Sequence, residues 1–204
     1  GLPKVRGACE LENLSAFALD FIVGSSPGDD ARGDLEKIFT GWVDASTQIE
    51  LSQTAAWQRL TQTSRAMALP EAIKKMATLR VLSVLMHGDF APWNVKVSGG
   101  RWTVLDWERG ERVGIPAWDW FHFIVQPAVL VRRERADATV ARLEKLFAST
   151  EFQRYSLRCG IVGSEWKLVF AYVDYCINAT RQTEGLELLE MLLEVLRVRC
   201  ATER

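Results

Sequence analysis

The residues of this chain whose types and spacing suit chemistry lie in Leu85-Met-His-Gly-Asp-Phe-Ala-Pro-Trp-Asn94 and Trp102-Thr-Val-Leu-Asp-Trp-Glu108. Asp89 follows His87 by two positions, Asn94 follows Asp89 by five, and Asp106 follows Asn94 by twelve. Transfer of a phosphoryl group to a hydroxyl needs such a set. A carboxylate receives the hydroxyl proton and aims its oxygen at phosphorus, and oxygen ligands hold magnesium, a hard cation that prefers carboxylates, carbonyls, phosphates and water. On this reading Asp89 faces the acceptor, while Asn94 and Asp106 face the metal and the phosphates. An unperturbed aspartate, with a pKa of about 3.9, is a weak base at neutral pH. Its main contribution is therefore orientation of the nucleophile.

These side chains need a scaffold that brings distant positions to one edge. Val81 to Met86 is a short apolar run leading into the motif. Asn94-Val-Lys-Val97 and Trp102-Thr-Val-Leu105 alternate about Ser98-Gly-Gly100, which predicts a hairpin. Upstream, Ser15 to Val23 reads as a strand ending in the loop Gly24-Ser-Ser-Pro-Gly28. Asp29 and Asp30 are placed to cap a helix over 31–43, whose apolar face is Leu35, Ile38, Phe39 and Trp42. Further helices are predicted over 54–66 and from Pro70 to about 80. Beyond Pro116 the pattern is helical. Val140, Leu143, Leu146 and Phe147 form one face, Trp166, Phe170, Val173 and Ile177 another, and a last helix over 185–199 is apolar nearly all round and expected to be buried.

The string His87-Gly-Asp-Phe-Ala-Pro-Trp-Asn94, then Val104-Leu-Asp-Trp-Glu108, then Gly114-Ile-Pro-Ala-Trp-Asp119, resembles the aminoglycoside phosphotransferase and choline kinase superfamily. Gly88 and Trp107 favour this small-molecule branch over protein kinases. The resemblance implies a helix-dominated α+β fold, the C-lobe of a protein-kinase-like phosphotransferase with its catalytic-loop hairpin. It implies Asp89 as catalytic base, Asn94 and Asp106 as magnesium ligands, and Asp119 as the Asp that braces the loop. A weaker likeness upstream, in Leu2-Pro-Lys-Val5 and 15–24, implies the last N-lobe strands and the hinge, with the adenine of ATP near Asp20, Phe21, Ile22 and Val23. No Gly-rich phosphate loop, strand Lys or partner Glu precedes that segment. The expectation is thus an N-lobe remnant over 1–24, a C-lobe over 25–204 and a missing N-lobe segment, without which the chain alone would be inactive. The implied activity is transfer of the γ-phosphate of ATP, with Mg, to a hydroxyl of a sugar, aminoglycoside or amino alcohol. The alternative is a binding or scaffold module of the same fold that has lost catalysis.

Each candidate also has a plainer reading. Asp89, Asn94 and Asp106 are types found in turns and caps. His87 reads as a buried imidazole bonded to backbone, supporting the site rather than reacting, and Asp119 reads as a cap or brace. The tryptophans between Trp93 and Trp120 read as core, with Trp107 the one expected near the site. Glu108 reads as a solvated charge or an aid to metal or acceptor. Arg109, Arg112, Arg132, Arg133 and Arg135 read as ordinary charged surface. Asp174 and Glu184 are candidates to line a pocket for a cationic acceptor.

Composition narrows the class. With 25 basic against 26 acidic residues and a net charge of -1, the chain has no electrostatic footprint for nucleic acid or an anionic membrane. Four scattered cysteines and two histidines argue against a zinc site or a disulfide framework. No secretory signal opens the chain, and its apolar runs are too short or too charged to span a bilayer. The expected location is cytoplasmic.

Overall fold

The computed structural model describes residues 1–12, 14–28, 31–63, 69–180 and 182–202. Strands β1 (Val5–Leu11) and β2 (Leu14–Leu19) pair as an antiparallel hairpin. Helix α1 (Arg32–Gly41) follows, then β3 (Val43–Glu50), α2 (Ala55–Gln62) and the short α3 (Glu71–Lys74). Strand β4 (Arg80–Met86) leads into the 87–94 loop, after which come β5 (Val95–Ser98), β6 (Arg101–Val104) and β7 (Glu111–Gly114). The rest is helical: α4 (Trp118–Gln126), α5 (Ala136–Phe147), α6 (Thr150–Cys159), α7 (Glu165–Asn178) and α8 (Leu186–Thr202). The α+β, helix-rich class expected from the sequence is observed.

The site depends on β4, the central strand of the antiparallel sheet β3-β4-β7. Its Val81, Ser83, Val84 and Met86 are buried. On one side it pairs with β3 through a register shift, and on the other with β7 through Val84–Gly114 and Met86–Glu111. The predicted hairpin β5–β6 is present, with β5 one residue later and β6 one residue earlier than expected, and Gly99 and Gly100 at φ 55° and 73° supply the left-handed turn. Helix α4 is buried almost all round and continues past Gln126 as a π-turn over Pro127–Val131.

Several boundaries differ from expectation. Helix α1 ends at Gly41, and Val43 opens a strand; Asp29 and Asp30 lie outside the described residues. β3 was not predicted because its residues are mostly exposed and its register breaks between Asp44 and Gln48, so no alternation marks it. Helix α2 is capped by the Thr54 side chain accepting from Trp57 N–H and stops at Gln62; part of its predicted extension, 64–66, is outside the described residues. The segment after Pro70 is one α-turn and one 3-10 turn, and Arg80 already belongs to β4. Helix α8 is amphipathic rather than buried all round: Leu189, Leu192, Leu193 and Leu196 face α5 and α7, while Met191, Val195 and Val198 are exposed. Among the described residues no helix is long and apolar enough to cross a membrane.

β4 and β7 approach so closely that a Cβ on Gly114 would overlap the Met86 side chain at its root. Gly114→Ala should therefore lower stability by about 1–3 kcal/mol, the usual cost of overpacking a filled core. The measurement is a lower denaturant midpoint at unchanged slope; an unchanged midpoint would show that the strand pair yields freely.

Candidate active site

The 87–94 loop leaves β4 and is fastened at several points. Phe90 is fully buried, its ring 4.8 Å from Phe39 and 5.6 Å from Trp42. The backbone N–H groups of His87 and Gly88 donate to the two carboxylate oxygens of Asp119, at 2.7 and 3.0 Å. Gly88 has φ 78°, and a Cβ there would meet Arg109 O at 2.6 Å, so the turn admits only glycine without a shift. His87 is buried. Its Nε2 lies 2.7 Å from Leu105 O, which can only accept, and its Nδ1 accepts from Asp89 N–H at 3.2 Å. That pair of bonds defines a neutral ring protonated at Nε2, and burial pushes its pKa below the ordinary value. His87 thus ties the loop to the end of the β5–β6 hairpin.

Asp89 and Asn94 meet. The Asn94 Nδ2 donates to Asp89 O at 2.9 Å and to Asp89 Oδ2 at 3.0 Å, which leaves the Asn94 oxygen turned to the other side of the amide. On its second oxygen, Asp89 Oδ1 lies 2.8 Å from Nε2 of His122, a buried ring on α4. Burial pushes the Asp89 carboxyl up, but His122, Arg109 and Asn94 together outweigh it and hold the pKa below the usual carboxylate value. Asp106 is exposed, at φ 57°, one residue past Leu105, whose N–H donates to Asn94 O at 2.8 Å. Asp and Asn tolerate that left-handed backbone better than most residues. Among the described residues no group of three or more His, Cys, Asp or Glu gathers as a metal cluster. Half-buried Asn94 and exposed Asp106 carry one amide oxygen and one carboxylate, donor types that suit magnesium, which keeps several waters and phosphate oxygens.

Asp119 braces the loop from the first turn of α4. Helix α4 starts after Ala117, which has φ 70° and whose N–H donates to the buried Tyr155 hydroxyl at 3.2 Å. Burial raises the Asp119 pKa to about 7, against the two N–H groups that favour its charged form.

The expected nucleotide segment follows β2. Asp20 pairs with Arg6, and Phe21 and Val23 are exposed. The chain then bridges to the hairpin through Ser25 and Val97, with bonds of 3.1 and 2.8 Å.

Two cavities meet at His122 beside Asp89. One, about 560 Å³, is lined by Asp89, Trp93, Gln126, Leu130 and Glu184 among others; the second, about 430 Å³, reaches Arg59, Glu111, Trp118, Tyr172 and Tyr175. Arg109, His122, Thr180 and Gln182 border both. Arg109 is therefore part of a cavity wall, not only charged surface. Trp93 reaches the Asp89 cavity, whereas Trp107 packs on His87 at 4.6 Å and acts on the site through that ring. Glu108 and Glu184 line cavities, while Asp174 is buried in α7 and accepts from Asn178. Sequence reasoning missed His122, Gln126 and Tyr172. A signal existed: Asp119, His122 and Gln126 fall on one helical face of an otherwise apolar segment.

The phosphotransferase enzyme family (APH) matches residues 24–155, a span that includes the 87–94 loop, Asp106, Asp119 and His122. No curated protein and no solved structure matches the chain.

The Asp119 brace can be tested through stability. An acid whose folded pKa is raised binds its proton more tightly when folded, so the contribution of Asp119 to stability slopes downward with pH, fully present below about pH 4 and lost as pH rises through about 7. Asp119→Asn should flatten that slope. It should also cost roughly 1–3 kcal/mol, because an amide cannot accept both N–H groups. Urea denaturation of both proteins across this pH range reads both effects; identical slopes would remove Asp119 as the source.

Proposed function

Because the chain belongs to the phosphotransferase enzyme family, we propose that it serves transfer of the γ-phosphate of ATP to a hydroxyl of a small molecule. The observation that carries this reading is the Asp89 carboxylate. It is half-buried, held at one oxygen by Asn94 and approached at the other by His122, and it opens into a cavity of about 560 Å³. Such volumes suit small molecules.

In this mechanism the acceptor hydroxyl lies against Asp89, which orients its oxygen and receives its proton as the bond to phosphorus forms, while the bond from the γ-phosphorus to the bridging oxygen breaks and ADP leaves. Asp89 has a depressed pKa, so proton transfer comes late and positioning carries most of the effect. The Asn94 oxygen and the Asp106 carboxylate would hold magnesium, which supplies positive charge against the phosphate oxygens. Asn94 is then shared between the two halves of the site: its nitrogen fixes the base and its oxygen serves the metal. Arg109, on the wall of both cavities, adds a cation beside Asp89. The segment 20–23 is the candidate for the adenine, and a sugar, aminoglycoside or amino alcohol is the candidate acceptor class.

Two substitutions in the full-length protein test these roles. Asp89→Asn should lower kcat by roughly 10²–10⁴-fold while leaving magnesium-nucleotide affinity nearly intact. A variant that keeps more than about a tenth of wild-type turnover removes Asp89 from the base role. Asp106→Ala should weaken nucleotide binding in magnesium far more than in chelator, as read by calorimetric titration. Equal losses in the two titrations would mean that Asp106 is not a ligand. Nucleotide binding with no transfer to any hydroxyl acceptor would fit a binding module of the same fold instead.

A further inference from the structure

The polar groups behind Asp89 form a chain whose hydrogen-bond directions can be worked out from one end. Gln182 Nε2 donates to Glu184 O at 3.0 Å, and a backbone carbonyl can only accept, so the Gln182 amide has one orientation. The same nitrogen donates to Gln126 Oε1 at 3.0 Å, and Gln182 Oε1 accepts from Gln126 Nε2 at 3.1 Å. Gln126 is thereby oriented as well. Its nitrogen donates its second hydrogen to the Tyr172 hydroxyl at 3.1 Å, with Cys176 Sγ a weaker neighbour at 3.7 Å.

Tyr172 has one hydrogen to give. Burial pushes its pKa well above the ordinary value, so the hydroxyl is intact. Its oxygen is occupied as an acceptor by Gln126, and His122 Nδ1 lies 3.1 Å away. An imidazole nitrogen is a far better acceptor than a thiol, so the hydrogen goes to Nδ1. The ring must then carry its own proton on Nε2, the atom 2.8 Å from Asp89 Oδ1. Nε2 is buried, and its N–H is out of line with that oxygen, so it is otherwise without a partner. Hydrogen bonds in unliganded sites are often misaligned in this way and tighten when the reactants bind.

We infer that His122 is a positioning residue for Asp89, its Nε2–H tautomer fixed by donation from Gln126 to Tyr172 and from Tyr172 to Nδ1, with Gln126 itself oriented by its reciprocal pair of bonds with Gln182. The inference rests on the proposed role of Asp89. The chain begins at Gln182, on the wall of both cavities, and ends on the carboxylate. With Asn94 on Oδ2 and His122 on Oδ1, the carboxylate plane is set from two sides, leaving the remaining lone pairs for the hydroxyl.

The protein has two histidines, so its imidazole nitrogen spectrum holds two ring systems, which the variant His122→Gln assigns. At neutral pH the ¹⁵N spectrum of the wild-type chain should show His122 protonated at Nε2, with Nδ1 a bare nitrogen that accepts a hydrogen bond. Tyr172→Phe should move the Nδ1 signal toward that of an unbonded nitrogen and leave His87 in place. A proton on Nδ1, alone or together with one on Nε2, overturns the inference from the wild-type spectrum without any variant. An unmoved Nδ1 signal in folded Tyr172→Phe overturns it too. In turnover, Tyr172→Phe should lower kcat about 10- to 100-fold with the nucleotide KM unchanged, the size expected for a displaced reacting group. Unchanged kcat would leave the chain without a positioning role. If instead Asp89→Asn keeps its turnover, the proposed function fails, while the ring spectrum still decides the direction of the chain.

Discussion

The arrangement depends on one buried contact, the Asp119 carboxylate receiving the N–H groups of His87 and Gly88. Where β4 ends, those two groups have lost their strand partners, and burying them unpaired would be costly. One carboxylate satisfies both and joins the first turn of α4 to the start of the loop. The backbone around it is bent to fit: Gly88 and Ala117 both lie in the left-handed region, and Arg109 O presses where a Gly88 side chain would be. Since α4 is fixed at its start, the residue one turn later is fixed as well. That residue is His122, and it meets Asp89. The helix that braces the loop therefore also reaches the side chain that the loop presents.

A second property follows from which faces are dry. Asp89 is approached through protein on one side, by His122, Tyr172 and Gln126, all buried. Asp106 is exposed. Electrostatic interactions are stronger where water is excluded, so the Asp89 side is the one in which a fixed dipole has most effect. A cation held by Asn94 and Asp106 would instead complete its shell with water and phosphate oxygens, for which an open edge is an advantage. Asn94 stands at the division and is oriented by its bonds to Asp89, so the two environments share one amide.

Much of this was legible in the residues, and the rest was hidden for definite reasons. The loop could be read because Asp89, Asn94 and the hairpin after them are close in sequence, and local turn chemistry marks each. The hairpin's Gly99 and Gly100 declare a left-handed turn whatever surrounds it. Asp119 could be read only by resemblance, since its partners lie more than thirty residues away. β3 could not be read, because an exposed strand with a register break has no apolar alternation. β7 is four residues long with one buried position, too short for a pattern. His122 was concealed in Trp118–Gln126, where the aromatic residues dominate; only the helical spacing of 119, 122 and 126 singles it out. Tyr172, on a helix distant in sequence, is brought to His122 by packing alone.

The placement of this polar stripe has a consequence for how the site could distinguish what fills it. A buried polar group is costly unless paired, and in the run Gln182–Gln126–Tyr172–His122 each residue has a hydrogen-bond partner, His122 through its Nδ1. Three of its members are held within helices α4 and α7, which pack on each other through their aromatic faces. Gln182 alone lies between helices, bonded to Glu184 O in the connection before α8, where it borders both cavities. Any molecule that competes for the Gln182 amide must therefore break a bond that orients Gln126, and through Tyr172 the ring beside Asp89. A molecule that leaves the amide paired preserves the orientation. The connection before α8 is thus joined through Gln182, Gln126 and Tyr172 to the ring beside Asp89.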